Sequence, residues 1–194
     1  MKTMIEKYDF EGSIVLLEGK RDVLDNEKEK LINLGELLAK NSKHIIFRSG
    51  NAKGADYYFS LGVAKVDKSR LQTIIPYKGH RNEVNLSGKV ICLDEFDLKD
   101  YPEIVEWSKE NKGTKNLIEK FVNGSRDRFT IKAAYILRDT VKVLGIGDYK
   151  PATFGIFYDD LTDPEKGGTG HTMNMCRKNG IEIIDQKIWF GWLD

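Results

Sequence analysis

The run Gly167-Gly168-Thr169-Gly170-His171-Thr172 places glycines at three of its first four positions, between a short apolar segment at 154–158 and a stretch with helical spacing. Glycine lets a backbone turn tightly and lets a ligand approach it, and a helix start presents unpaired N–H groups and the positive end of its dipole. That combination suits an anion, most often a phosphate. Asp159 and Asp160 close the apolar segment, so two carboxylates stand beside the loop. A second glycine-bearing helix start lies at Arg48-Ser49-Gly50-Asn51-Ala52-Lys53-Gly54-Ala55-Asp56. Ser49 and Asn51 add short polar side chains there, while Asp56, in the first helical turn, either serves a ligand or complements the helix dipole. Gly19, Lys20 and Arg21 form a third turn, whose cations either meet a ligand phosphate or belong to a solvated cluster. The loop at 48–56 neither ends in the Gly-Lys-Ser/Thr of a P-loop nor keeps the Gly-x-Gly-x-x-Gly dinucleotide spacing.

The elements that must position these loops are legible as short apolar runs. Residues 13–17, 44–47, 71–75, 89–93, 154–158 and 181–184 are expected to be strands, and lack of alternation in the run at 154–158 points to a parallel sheet buried on both faces. Helices are expected over 26–40, from the second loop to about Ala64, from Pro102 to about Val122, over 127–143, and from near His171 to a C-terminal stop at Gly180. In the helix at 127–143, Ile131, Ala134, Leu137 and Val141 form an apolar stripe beside Arg138 and Asp139. An arginine half inside such a face either pairs with a carboxylate or reaches the ligand crevice. The tail 185–194 carries two of the three tryptophans and is expected to pack back on the sheet. Left exposed, it would instead offer a contact to a second copy of the chain.

A chain of 194 residues with 40% apolar content builds one core, so a single domain over 1–194 is expected. With 31 basic and 30 acidic residues, no whole-protein field draws in nucleic acid or a membrane. Any anion site must be local. Cys92 and Cys176 alone do not make a disulfide framework, which fits a reducing cytoplasm. No segment reaches the roughly 18 apolar residues of a spanning helix.

The loops at 49–56 and 167–172, in this order and each behind an apolar strand, resemble those of the SLOG superfamily of Rossmann-like proteins. That group contains DprA/Smf-like recombination mediators, the LOG phosphoribohydrolases often described as lysine decarboxylases, and nucleotide-sensing domains. The resemblance implies an α/β, Rossmann-like three-layer fold with a mostly parallel sheet. It also implies a nucleotide or nucleotide-derived ligand held by the two glycine loops, with Arg138 and Lys20 or Arg21 as counter-charges. In the phosphoribohydrolase branch a glutamate follows the second loop and an Arg-Lys pair precedes it. Here Asn174 stands for the glutamate and Asp139 for the lysine, which puts hydrolysis in doubt.

The expected ligand-binding residues are therefore Gly19, Lys20, Arg21, Ser49, Gly50, Asn51, Gly54, Asp56, Arg138 and the run from Gly167 to Thr172. Were the protein an enzyme, it would cleave a nucleotide N-glycosidic bond with Arg138, Asp159, Asp160 or His171. DprA-like binding of single-stranded nucleic acid ranks below both, since the balanced charge argues against it. No metal or cofactor is expected. A carboxylate at Gly54 is expected to abolish binding at modest cost in stability, and Asn174→Glu to raise a trace activity.

Overall fold

The computed structural model describes residues 1–110 and 113–193. The chain runs α1 (Lys2–Tyr8), β1 (Ile14–Gly19), α2 (Lys28–Asn41), β2 (Ile46–Ser49), α3 (Ala55–Asp67), β3 (Leu71–Ile75) and β4 (Lys89–Cys92). It continues through α4 (Pro102–Ser108), α5 (Lys115–Val122), α6 (Ile131–Leu144), β5 (Phe154–Tyr158), α7 (Gly167–Lys178), β6 (Glu182–Ile184) and α8 (Gln186–Trp189). The six strands form one sheet in the order β4-β3-β2-β1-β5-β6, and every pairing is parallel. The fold is thus α/β and Rossmann-like, with a fully parallel sheet.

Strand alternation builds the layers. Val15, Leu17 and Phe47 face one way, into a core with Leu31, Leu34 and Leu38 of α2 and Phe59 and Val63 of α3. Leu16 and Phe157 face the other way, against Met173 and Cys176 of α7, while Ile74 and Ile91 meet Leu137 and Val141 of α6 on that side. Both cysteines are buried free thiols.

Most elements lie where the sequence places them, with four differences, the first being that α6 opens at Ile131 rather than at Asp127. Helix α7 opens at Gly167 rather than near His171. The single helical region expected from Pro102 to Val122 is two helices, α4 and α5; residues 111 and 112 of that stretch lie outside the described residues. The unforeseen α1 buries Met4 and Ile5 and ties Lys7 and Tyr8 to Glu182 at 2.6 and 2.7 Å. The tail packs back as expected, apart from Asp194, which lies outside the described residues: Trp189 is fully buried and its indole N–H donates to Phe157 O at 2.8 Å.

Because all strands are parallel, the loops after β1, β2 and β5 emerge at one sheet edge. Chain order reverses between β1 and β5, and the crevice outside such a switch point is where open parallel sheets bind ligands.

Candidate functional site

A cavity of about 440 Å3 opens at that switch point. Gly19, Lys20 and Arg21 form one wall, Ala52 and Asp56 the approach to α3, and Lys166 to Thr169 the opening turn of α7. Helix α6 supplies the rest, because Lys132, Tyr135, Arg138 or Asp139, and Lys142 recur every three or four residues and so share one face. The opposite face of α6 carries the core residues Ala134, Leu137 and Val141.

The floor is a buried network of charges. Lys142 Nζ donates to Glu18 Oε2 at 2.6 Å and contacts Asp139 Oδ1 at 2.8 Å; Arg138 reaches Asp139 Oδ1 at 2.9 Å and donates to Gly50 O at 2.5 Å. Arg48, on the strand next to β1, is fully buried and donates to Gln72 Oε1 at 2.6 Å and to the Lys142 and Lys150 carbonyls at 2.8 and 2.9 Å. Buried charges persist only when paired and hydrogen-bonded. Burial opposes the Lys142 ammonium, but the Asp139 and Glu18 carboxylates outweigh it and raise its pKa. Burial dominates at Glu18: with Asp56 and Asp139 nearby as like charges, it pushes the carboxyl up to about 7 despite Lys142. Arg138 pairs with the Asp139 carboxylate and also lines the cavity.

The two glycine loops differ in what meets their N–H groups. At the first, the Asp56 carboxylate accepts from Gly50 N at 3.0 Å, Ala52 N at 3.3 Å and Gly19 N at 3.3 Å. Asn51 N–H goes to Ser49 Oγ at 3.3 Å, and Ala55 N–H to Lys20 O at 3.2 Å. The Asn51 amide bridges to the His80 and Arg81 carbonyls at 3.3 and 3.1 Å. Of the N–H groups from Gly50 to Gly54, expected to hold a phosphate, those of Gly50, Asn51 and Ala52 are thus taken up by the protein itself. At α7, Lys166 caps without a side-chain hydrogen bond, and the first helical bond runs from Gly170 N to Lys166 O at 3.1 Å. The N–H groups ahead of it, on Gly168 and Thr169, face the cavity end of the helix.

Of the sequence-derived candidates, Gly19, Lys20, Arg21, Asp56, Arg138, Gly167, Gly168 and Thr169 line this cavity. Ser49, Gly50, Asn51, Gly54, Gly170, His171 and Thr172 do not, and neither do Asp159 and Asp160. Asp159 accepts from Glu165 N at 2.8 Å and so shapes the loop before α7, while Asp160 accepts from Thr162 and lies 3.6 Å from Lys20. His171 Nε2 lies 3.3 Å from Thr140 Oγ1, and burial lowers its pKa. The Thr172 hydroxyl donates to Gly168 O at 3.0 Å. Asn174 is exposed on the far side of α7, its amide 3.5 Å from Glu110, so Asn174→Glu would not bring a base to the cavity.

Sequence reasoning passed over Glu18, Tyr135, Lys132 and Lys142. Glu18 had a signal: a carboxylate directly after the apolar run of β1 and directly before its glycine turn. Lys142 had another, four residues past Arg138 on the same helix face. Tyr135 packs edge-on to Tyr77 and His80 with ring centroids 6.2 and 5.5 Å away, and Arg138 lies 5.6 Å from its ring. A second cleft, of about 420 Å3, shares Arg21 with the cavity and is lined by Lys28, Lys53, Gly54, Tyr57, Tyr58 and Arg81.

No protein-family model matches the chain, and no curated protein matches it either. Among solved structures it is similar to DNA processing protein A from Helicobacter pylori, a structure described for that protein's single-stranded DNA binding mode: TM-score 0.54, 15% identity, covering 92% of this chain and 67% of that one. It is also matched to DNA processing protein A (DprA) from Streptococcus pneumoniae at TM-score 0.47 and 12% identity, covering 89% of this chain and about half, 49%, of that one. Among the described residues no helix is long and apolar enough to cross a membrane. At these identities the likeness concerns the fold alone: the Rossmann-like architecture is one also found in DNA processing protein A from Helicobacter pylori.

Proposed function

We propose that the chain binds the phosphate of a nucleotide in the switch-point cavity. The observation that carries this reading is the α7 start, where Gly168 and Thr169 present N–H groups at a helix N-terminus without a capping side chain, within a ring of cations from Lys20, Arg21, Lys132 and Lys166. Tyr135 offers a ring for a base or sugar to pack against. About 440 Å3 is within the range of small-ligand pockets. Gly50 and Gly54 have a structural part in this reading, since Asp56 closes their loop.

Two ligands carry such a phosphate, a free nucleotide and a nucleotide unit of a single strand. The fold neighbour, described as binding single-stranded DNA, favours the strand. So does the adjoining cleft, where Lys28, Lys53 and Arg81 alternate with Tyr57 and Tyr58 beyond the shared Arg21. Small cavity size and the near-zero net charge favour the free nucleotide. Calorimetry with AMP, and fluorescence titration with a labelled oligothymidylate over a range of salt, decide between them. A strand that spans both clefts loses affinity with log[salt] at a slope of about −0.7 per phosphate neutralised, and Lys53→Ala together with Arg81→Ala flattens that slope. Retained AMP affinity in that double variant, with no oligonucleotide binding by the wild type, selects the free nucleotide. Binding of neither sinks the proposal.

A further inference from the structure

Glu18 is 2% exposed and lines the cavity, yet only one of its carboxylate oxygens is matched. Oε2 receives the Lys142 ammonium at 2.6 Å, while Oε1 is buried and meets no hydrogen-bond partner among the described residues. Buried polar atoms in folded proteins are matched almost without exception, so each orphan calls for an explanation. The neighbouring groups do not provide one: Asp56 and Asp139 are acceptors, and Arg138 is engaged by Gly50 O and Asp139. A bare anion would make matters worse, because a phosphate brings further negative charge and acceptor oxygens towards a carboxylate that already lacks a donor.

Resting on the phosphate reading above, we infer that Glu18 is a specificity residue: its Oε1 accepts a hydrogen bond from an O–H or N–H of the ligand whose phosphate sits at Gly168 and Thr169. The carboxylate thereby rejects simple anions and admits phosphate esters that carry a donor. A nucleotide has two sources of that donor, its sugar hydroxyls and the amino group of its base.

The isosteric change Glu18→Gln inverts the chemistry. The amide oxygen must face Lys142, so the NH2 takes the place of Oε1 and donates where the wild type accepts. Lys142 keeps Asp139 as a partner at 2.8 Å. The test is calorimetry at pH 8, with methyl phosphate, AMP, 2′,3′-dideoxy-AMP and purine riboside 5′-monophosphate as probes. In the wild type AMP is expected to bind more tightly than methyl phosphate, and Glu18→Gln to reduce that preference roughly ten- to a hundredfold, the range of a hydrogen bond to a charged group. Loss of the preference in the dideoxy probe assigns the donor to the sugar; loss in the purine riboside probe assigns it to the base. An unchanged preference in a folded Glu18→Gln protein overturns the inference. So does equal affinity of the wild type for all four probes, a result that needs no variant. Failure of the wild type to bind any probe instead overturns the phosphate reading on which this one rests.

Discussion

The two glycine-rich loops follow strands of one parallel sheet, open helices of 13 and 12 residues, and point to the same edge, yet they end in opposite states. At α3 a carboxylate two residues into the helix turns back and accepts from the loop's own N–H groups, so the protein carries its own anion there. At α7 the first turn is Gly167, Gly168 and Thr169, with no acid among them, and its N–H groups remain available at the cavity. Both loops are glycine-rich and both have a carboxylate nearby; what differs is that Asp56 accepts from the N–H groups of the first loop, while Asp139 beside Gly168 is held by Arg138 and Lys142. A glycine-rich helix start can therefore offer its N–H groups to a ligand only when the chain does not take them up first.

The strongest way to break this comparison is to empty the first loop. Asp56→Ala leaves the N–H groups of Gly19, Gly50 and Ala52 without their acceptor and is expected to cost about 3–5 kcal/mol, from roughly 1–3 kcal/mol for each donor left unmatched. The check is urea unfolding with and without phosphate, which should stabilise the variant more than the wild type. An undiminished stability would show that the carboxylate does not plug the loop.

Gly54 comes next. Its φ is +79° and an added Cβ would lie 2.1 Å from the Arg21 carbonyl oxygen, so Gly54→Asp is expected to lose roughly 3–4 kcal/mol from a left-handed conformation plus overlap. This corrects the modest stability cost that the sequence suggests; a midpoint close to that of the wild type would restore the earlier view.

Glu18 sharpens the comparison through pH. Its carboxyl rises from an ordinary 4.5 to about 7, so between those values the folded state holds a proton that the unfolded state has released. Its contribution is fully present below 4.5 and is lost as pH rises to about 7, on the order of 3 kcal/mol. His80, lowered to about 4 by burial and by Arg138 and Arg81, works in the opposite sense over an overlapping range, with stability lost as pH falls. Glu18→Gln removes only the first effect. The difference in unfolding free energy between variant and wild type should therefore grow in favour of the variant from pH 5 to pH 7, and a constant difference would refute the raised pKa.

The smallest effect on stability, and the most specific, belongs to Gly168. Its φ is not left-handed, and an added Cβ would come 3.1 Å from Asp139 Oδ2 and nothing closer. Gly168→Ala is expected to change stability by less than about 1 kcal/mol while weakening phosphate binding about tenfold, since the methyl group stands where the ligand approaches. Calorimetry beside thermal unfolding separates the two, and an equal loss in both would make Gly168 a packing residue.

The sequence by itself determined the sheet and its edge. The run 154–158 is apolar without alternation, which only a strand covered on both faces requires, and Pro76 after 71–75 and the glycine turn after 14–18 mark where the chain must leave the sheet. It did not determine α1, whose seven residues lack a capping signal, nor the start of α7, because glycine is a poor helix former and gains its place there only by packing. For Gly170 that packing is close: an added Cβ would lie 1.7 Å from the Glu165 carbonyl oxygen. The site was half legible for the same reason. Local spacing exposes loops that could bind an anion, and it singles out Arg138, which pairs with Asp139 and lines the cavity. Whether an N–H group stays open, and which carboxylate a buried lysine finds, depends on groups brought together by the fold: Glu18 and Lys142 are 124 residues apart, on a strand and a helix of different layers. Burial then sets their charge, and burial is a property of the assembled structure rather than of any window of residues.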